Sequence, residues 1–190
     1  MLTDRPPRHA ALRAAFLESD QLKILEVPQD DRLRTLARCI DAAMQGGTSR
    51  VVGQGCAKLL TAASDFYGVP RPGIRVLAAR PLRVREGGWA SELFGDYAPE
   101  AMLIRVWMRT AVRKQVTSFG TFLSTLCHEF CHHLDYHRFG FRDSWHTRGF
   151  YARVAILYHH ACGTPLKHLF WMRAPGERWR IDWPRTKRGM

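Results

Sequence analysis

The sequence lacks any apolar run long enough to cross a bilayer, which takes about 20 predominantly apolar residues. Its first twenty residues mix charges with alanines and have no long apolar core, so a secretory signal peptide is not expected. The five cysteines are odd in number and form no C-x-x-C pair, which argues against a disulfide framework and against a cysteine-based zinc site. These absences predict a protein of the reducing cytoplasm that does not span a membrane.

Acidic residues are also scarce: 17 Asp and Glu stand against 29 Lys and Arg, which gives a formal net charge of +12. This balance favours acidic partners such as nucleic acid, an anionic membrane surface or an acidic protein. A basic, well-solvated enzyme surface explains the same charge equally well. Apolar residues make up 46% of the chain, so a globular fold is expected rather than disorder.

Hydrophobic periodicity predicts an α+β fold that begins with helices. A short helix is expected over 8–18, and a second helix follows Asp30-Asp31 and stops at Gly46-Gly47. A third helix is expected over roughly 49–67. The next part of the chain changes to short apolar runs and predicts a small, mostly antiparallel sheet. Its strand candidates are 74–77, 82–84 and 102–108, with 89–97 either a strand or a loop.

The second half of the chain predicts two further helices. A long amphipathic helix is expected over about 118–138, and another from His146 to about 161 with its N-cap at Asp143-Ser144. The last 25 residues are rich in Trp, Arg and Pro and are typical of an extended tail with strand pieces. We predict one domain over 1–190, with a helical N-terminal part over 1–47 and a C-terminal extension over 164–190.

The long helix carries the motif His128-Glu129-Phe130-Cys131-His132, which is H-E-x-x-H. Two histidines four residues apart lie about 40° apart around a helix axis and one turn apart along it, so both imidazoles can bind one zinc ion. Glu129 then stands beside the metal, where it can act as the general base for a water molecule. The motif predicts a zinc-dependent hydrolase, most simply a peptidase that cleaves peptides or unfolded protein segments.

A catalytic zinc ion needs a third protein ligand, and His146 fits best. The only glutamate after the motif is Glu177, in a loop with Pro and Gly, and Arg138 stands where the metzincin pattern has its third histidine. His146 follows a short loop and begins the next predicted helix, so a reversal of chain direction returns it to the metal. Phe150, one turn further on, is expected to pack beneath the site, and Gly149 permits a close approach of helices.

Several residues near the motif have other possible roles. Asp135 lies on the helical face of His128 and is an acceptor that orients a ligand imidazole, a helix aspartate in a salt bridge or, as a third alternative, a direct metal ligand. His133 and His137 point roughly 140° and 180° away from His128, so they are expected at the surface or behind the ligands. All five cysteines are interpreted as core residues. Candidate donors to an oxyanion are Tyr136, Arg148 and Tyr151.

With these residues the chain resembles the SprT-like zinc metallopeptidase domain, in which H-E-x-x-H is followed by a His near the start of a helix, with a Gly and a bulky aromatic close behind. The resemblance extends weakly over 48–162. It implies a zincin-like fold, a zinc ion held by His128, His132 and His146, and Glu129 as general base. It also implies that an edge strand before the motif helix, here 102–108, pairs with the substrate backbone.

Two features depart from that family. No cysteine follows Cys162, so the four-Cys zinc ribbon that many SprT proteins carry is missing from this sequence. Gly149 stands three residues after His146 rather than next to it. The resemblance therefore implies the catalytic core, while the two departures argue against the DNA-related roles of the family.

Two other functions remain open. A DNA-associated protein that acts on nucleic-acid-bound substrates would use a basic sheet face and a C-terminal basic cluster whose tryptophans stack on bases. The sheet face would contain Arg71, Arg75, Arg80, Arg83, Arg85, Arg105, Arg109 and Arg113, and the cluster Arg173, Arg178, Arg180, Arg185, Lys187 and Arg188 with Trp171, Trp179 and Trp183. The other alternative is a non-catalytic zinc-binding module. Glu129 argues against it, because a structural site has no need for a carboxylate beside an open coordination position.

Overall fold

The computed structural model describes residues 1–84 and 90–189, and it has the predicted α+β character. Three helices open the chain: α1 (Ala10–Gln21), α2 (Arg32–Met44) and α3 (Ser49–Tyr67). The Oγ1 atom of Thr48 accepts a hydrogen bond from the Val51 N–H at 3.4 Å and caps α3, which ends at Gly68 in the left-handed conformation (φ 64°). The bounds of α3 agree with the predicted span of 49–67.

The strands of the middle region are β1 (Gly73–Ala79), β2 (Leu82–Val84), β3 (Ala90–Glu92), β4 (Gly95–Ala98) and β5 (Leu103–Arg109). The main sheet has the order β1-β5-β4, and β2 with β3 forms a separate antiparallel pair. The prediction of a mostly antiparallel sheet is only partly right, because β1 and β5 run parallel while β4 and β5 are antiparallel. The segment 89–97, predicted as either a strand or a loop, includes β3 and most of β4; residue 89 lies outside the described residues.

The expected edge strand is wrong. β5, which covers the predicted segment 102–108, lies in the centre of the sheet, hydrogen-bonded on both sides. Ile104, Val106 and Met108 alternate along one face of β5 and are buried, as its period of two predicts. The edge on the side of the motif helix is β4 instead.

The motif helix is α4 (Phe119–His137), and the next helix is α5 (Arg148–Cys162). The predicted N-cap of α5 at Asp143-Ser144 is wrong: the cap is Thr147, whose Oγ1 accepts from the Phe150 N–H at 3.0 Å. His146 therefore lies in the loop before α5 and not in its first turn. The His146 side chain still points to α4, where its Nε2 atom lies 3.0 Å from that of His128.

The two ends of the chain meet beside this loop. The C-terminal part forms the hairpin β6 (Trp171–Ala174) and β7 (Arg178–Ile181), followed by the short helix α6 (Trp183–Arg188). The first residues lie along β7: the Thr3 N–H donates to the Trp179 carbonyl at 2.8 Å, and the Ile181 N–H donates to the Met1 carbonyl at 3.2 Å. The predicted strand pieces are confirmed, while their pairing with the start of the chain was not foreseen.

The core gathers the apolar faces of α2, α3, α4, α5 and the main sheet. All five cysteines are free thiols, and Cys56, Cys127 and Cys131 are buried as predicted. Cys39 is exposed, contrary to prediction, because it falls outside the apolar stripe of α2 formed by Leu33, Ala37, Ile40 and Met44. Among the described residues, no helix combines the length and apolar character that crossing a bilayer requires.

Candidate metal centre

Three imidazoles converge where α4 faces the loop before α5. The Nε2 atom of His128 lies 3.2 Å from Nε2 of His132 and 3.0 Å from Nε2 of His146. In a tetrahedral zinc site with Zn–N bonds of about 2.0–2.1 Å, ligand nitrogens lie roughly 3.3 Å apart. The spacing of these three nitrogens therefore fits one small metal ion, and the three histidines predicted as ligands are the ones that the fold brings together.

Phe150 forms the floor of this cluster, as predicted. It is fully buried, and its ring centroid lies 4.9 Å from that of His128, 4.5 Å from that of His132 and 5.3 Å from that of His146. Gly149 beside it also has the predicted effect, because a Cβ atom there would lie 2.0 Å from the Ser19 carbonyl oxygen. The last turn of α1 can thus pack directly against the start of α5.

Burial keeps the helix histidines neutral. Loss of solvation, together with the neighbouring His146, lowers the pKa of His128 to about 3, and burial lowers the pKa of His132 well below its ordinary value. A neutral imidazole offers one nitrogen lone pair, which is the form that binds a metal. Hydrogen bonds at the other nitrogen decide which lone pair is free, and two of the three rings have such a partner on Nδ1.

The partner of His132 is Ser144, in the loop between α4 and α5. The His132 Nδ1–H donates to Ser144 Oγ at 2.7 Å, and Ser144 Oγ donates to Asp135 Oδ2 at 3.0 Å. Asp135 is fully buried, and its Oδ1 atom accepts from the Arg153 guanidinium at 2.7 Å. This order of donors leaves Nε2 of His132 free for a metal. Ser144 was expected only as a helix cap, and its positive φ of 40° marks an unusual backbone conformation.

Asp135 combines two of the roles that its position left open. It orients the imidazole of His132 through Ser144, and it forms a buried salt bridge with Arg153. The second guanidinium nitrogen of Arg153 donates to the Ser19 carbonyl at 3.2 Å and the Leu22 carbonyl at 2.5 Å, at the C-terminal end of α1. Burial raises the pKa of Asp135 to about 6 against the opposing effect of Arg153.

The partner of His146 is Asp4, near the start of the chain. Asp4 Oδ2 accepts hydrogen bonds from the His146 backbone N–H at 2.9 Å and from its Nδ1–H at 3.2 Å, and the Asp4 N–H donates to the His146 carbonyl at 3.0 Å. The two residues are 142 positions apart, and no local pattern in the sequence indicates the contact.

Glu129 lies beside the histidines at the wall that β4 forms. Glu129 is buried, and this burial, together with the negative charge of Asp96, raises the pKa of its carboxyl group to about 8. A Cβ atom on Gly95 would lie 2.9 Å from Glu129 Oε1 and 2.6 Å from Thr125 Cγ2, so only glycine allows β4 to pack this closely. Like Ser144 and Asp4, Gly95 is a residue of the site whose role the sequence did not reveal.

The histidines and Glu129 line a cleft of about 1190 Å³ between β4, α4 and α6. Of the three predicted oxyanion donors, only Tyr136 lines it. The Arg148 guanidinium is bound to the carboxylate of Asp20, and the Tyr151 hydroxyl donates to the Leu2 carbonyl at 3.2 Å. These two side chains therefore belong to the packing around the site.

His133 is not at the surface, contrary to one of its two expected placements. It is fully buried behind the ligands: its Nε2–H donates to the Pro70 carbonyl at 2.7 Å, and its Nδ1 accepts from the Tyr97 hydroxyl at 2.8 Å. Nε2 of His137 lies 3.2 Å from the same hydroxyl. These histidines connect α4 to β4 and do not belong to the metal cluster.

Comparison of the chain with protein-family models, curated proteins and solved structures gives no match. The functional conclusion therefore depends on the geometry of the site itself.

Proposed function

We propose that this chain is a zinc-dependent metallopeptidase with a zincin-like core, similar to the SprT-like domain. The observation that carries the proposal is the convergence of three Nε2 atoms, with those of His132 and His146 at 3.2 and 3.0 Å from that of His128, and with the Glu129 carboxylate in the same cleft. Three imidazole ligands suit zinc, and they leave a fourth tetrahedral position open, as in catalytic zinc sites. His128, His132 and His146 would hold the ion.

A zinc ion bound there would polarise a substrate carbonyl and lower the pKa of a water molecule. Glu129 would accept a proton from the attacking water and pass it to the leaving amine. A general base works best when its pKa lies near the working pH, and the pKa of Glu129 lies at about 8 before a cation lowers it. Tyr136 is the best-placed remaining donor to the developing oxyanion.

The substrate would be an extended peptide or an unfolded protein segment. Among the described residues β4 pairs only with β5, and Gly95, Asp96 and Tyr97 of β4 line the cleft. An extended peptide can add to such an edge by main-chain hydrogen bonds. The edge strand implied by the resemblance is thus 95–98 and not 102–108.

Metal analysis and a proteolysis assay test this proposal together. The purified chain should contain close to one zinc ion and should cleave casein, should lose activity on removal of zinc, and should regain it on addition of zinc. A chain that binds zinc but cleaves neither casein nor a broad peptide library would support the non-catalytic alternative. A chain without zinc affinity would contradict the proposal as a whole.

A nucleic-acid-associated peptidase is the second candidate, and the exposed basic residues near α6 favour it: Arg173, Arg180, Lys187 and Arg188. The basic sheet face is less complete than predicted, because Arg71, Arg80 and Arg105 form ion pairs with Asp65, Glu92 and Asp96. Arg85 and the side chain of Arg83 lie outside the described residues. Arg148 and Arg173 cover the ring of Trp179, which reduces its availability for stacking on bases.

Salt dependence separates this candidate from a basic but solvated surface. Binding to single-stranded DNA should weaken steeply between about 50 and 200 mM salt if several phosphates are contacted. Absence of binding at low salt would remove the candidate and leave the peptidase proposal intact.

A further inference from the structure

The third histidine is held differently from the other two. His128 and His132 stand on α4, whose backbone fixes their positions, whereas His146 lies in a loop and depends on contacts made by the start of the chain. We propose that Asp4 is a positioning residue for the third metal ligand, and that residues 1–4 and β7 together form a clasp that holds His146 in its metal-binding position. This inference rests on the proposed metal site.

The hydrogen bonds of Asp4 fix both the place and the chemical form of His146. One carboxylate oxygen accepts from the backbone N–H and from Nδ1–H, so the loop and the ring plane are set together. With its proton on Nδ1, the ring presents the Nε2 lone pair to the other two histidines, 3.0 Å from Nε2 of His128. A carboxylate behind a ligand imidazole also makes that ligand more basic, which strengthens its bond to a metal.

The clasp itself is anchored on two sides. On one side Thr3 is paired twice with Trp179 of β7: its N–H donates to the Trp179 carbonyl, and its Oγ1 accepts from the Trp179 N–H, both at 2.8 Å. On the other side the Tyr151 hydroxyl of α5 donates to the Leu2 carbonyl at 3.2 Å, and the Tyr151 ring stacks on His146 at 5.8 Å. Thr3 is buried, so water cannot easily replace its Oγ1 atom as the acceptor for the Trp179 N–H.

The clasp links the C-terminal hairpin to the metal centre. Because only the docked segment places His146 correctly, a metal ion should bind more tightly to the docked form and should in turn stabilise docking. Zinc affinity should therefore fall when the clasp is weakened, even though neither Asp4 nor Thr3 is a ligand.

The test is zinc affinity of the full chain, measured by competition with a chromophoric chelator. Asp4→Ala should lower the affinity about 10–100-fold, the usual effect of losing a partner of a ligand histidine. Asp4→Asn keeps an acceptor oxygen and should lose less. Thr3→Val removes only the Oγ1 acceptor and should lose least. Asp143→Asn is the matched control, because it removes an exposed carboxylate that lines the same cleft, and among the hydrogen bonds and ion pairs of the described residues none joins Asp143 to His146.

Cobalt absorption gives a second readout that a general loss of stability would not change. With Co²⁺ bound, Asp4→Ala should shift or weaken the bands of tetrahedral coordination, whereas Asp143→Asn should leave them unchanged. If Asp4→Ala does not fold, Asp4→Asn and Thr3→Val decide the question by the same two measurements.

The proposal is overturned if Asp4→Ala binds zinc within about twofold of the wild type, or if Asp143→Asn loses as much affinity as Asp4→Ala. If Asp4→Ala binds zinc as tightly as the wild type, and the wild type cleaves peptides, the role of the clasp is refuted and the peptidase function is not. Conversely, a wild type that binds zinc without cleaving any peptide refutes the peptidase function, and a weaker site in Asp4→Ala then still supports the clasp.

Discussion

In the proposed metal centre, the helix histidine His132 and the loop histidine His146 are held in place by different kinds of contact. The His132 ring is hydrogen-bonded to Ser144, and Ser144 is hydrogen-bonded to Asp135. Asp135 forms an ion pair with Arg153 in which both side chains are almost fully buried. The His146 ring is hydrogen-bonded to Asp4, and both of these side chains are about one-third to one-half exposed. The first support is part of the core, so damage to it should reduce folding stability. The second lies at the surface, so damage to it should reduce metal affinity with little effect on stability.

The largest effect on the metal should come from the ligands on α4. We expect His128→Ala to lower zinc affinity by more than about 100-fold, beyond the effect of losing any supporting partner, because it removes the nitrogen that faces both others. His168→Ala, at an exposed histidine outside the cluster, is the control. Equilibrium dialysis against zinc measures both, and a stoichiometric, equally tight site in His128→Ala would show that the ion binds elsewhere.

The largest effect on stability should come from the buried ion pair behind His132. Arg153→Met leaves the Asp135 carboxylate buried without its partner, which typically costs about 3–5 kcal/mol. Arg105→Met breaks an exposed, solvent-screened pair with Asp96 and should cost far less. Urea unfolding of the metal-free chains gives both values. Equal losses would mean that the two supports do not differ in the way described here.

The pH dependence of stability should reveal the buried Glu129. The pKa of Glu129 is about 8 in the folded, metal-free chain and 4.5 in an unfolded one. Between these pH values the Glu129 carboxyl group is therefore protonated in the folded chain and ionised in the unfolded chain. The stability that this group contributes is complete below pH 4.5 and is lost as the pH rises through 8. Glu129→Gln should thus be more stable than the wild type by about 2 kcal/mol or more at high pH, and equally stable in acid.

The same unfolding experiment, carried out without metal at both ends of that pH range, checks this prediction. His128 is neutral in the fold and acts in the opposite direction, but it is present in both chains and cancels in the comparison. A stability difference that does not change with pH would show that Glu129 is not the source.

A smaller effect on zinc affinity than that of the ligands should come from Ser144. Ser144→Ala removes the hydroxyl between His132 and Asp135 while the backbone keeps its positive φ, so we expect a loss of about tenfold in zinc affinity. The α4 backbone still holds His132, and the loss should be no larger than that of Asp4→Ala. The chelator titration ranks the two variants, and a larger loss in Ser144→Ala would reverse the comparison.

The contrast between the two supports also explains what the sequence could predict. His128, Glu129 and His132 are set by helix periodicity within five residues, and the spans of α2, α3, α4 and β5 follow from local apolar patterns. His146 was found because few other ligands are available after the motif. The contact of His146 with Asp4 could not be predicted, because the two residues are 142 positions apart and a single aspartate belongs to no sequence pattern.

Other errors have the same physical origin. The position of β5 in the centre of the sheet, and its parallel pairing with β1, depend on how the chain returns through β2, β3 and β4, which periodicity does not encode. Both Asp143-Ser144 and Thr147 are competent helix caps by residue type. Tertiary contacts decide between them: Ser144 is bound to His132 and Asp135, and Thr147 is left to cap α5.

The most direct test of the central claim is the turnover number of Glu129→Gln with zinc bound, measured on a peptide that the wild type cleaves. We expect the variant to contain as much zinc as the wild type and to cleave about 10²–10⁴ times more slowly, because the three imidazoles remain while the general base is lost. Full activity in zinc-loaded Glu129→Gln would contradict the assignment of this cleft as a metallopeptidase active site.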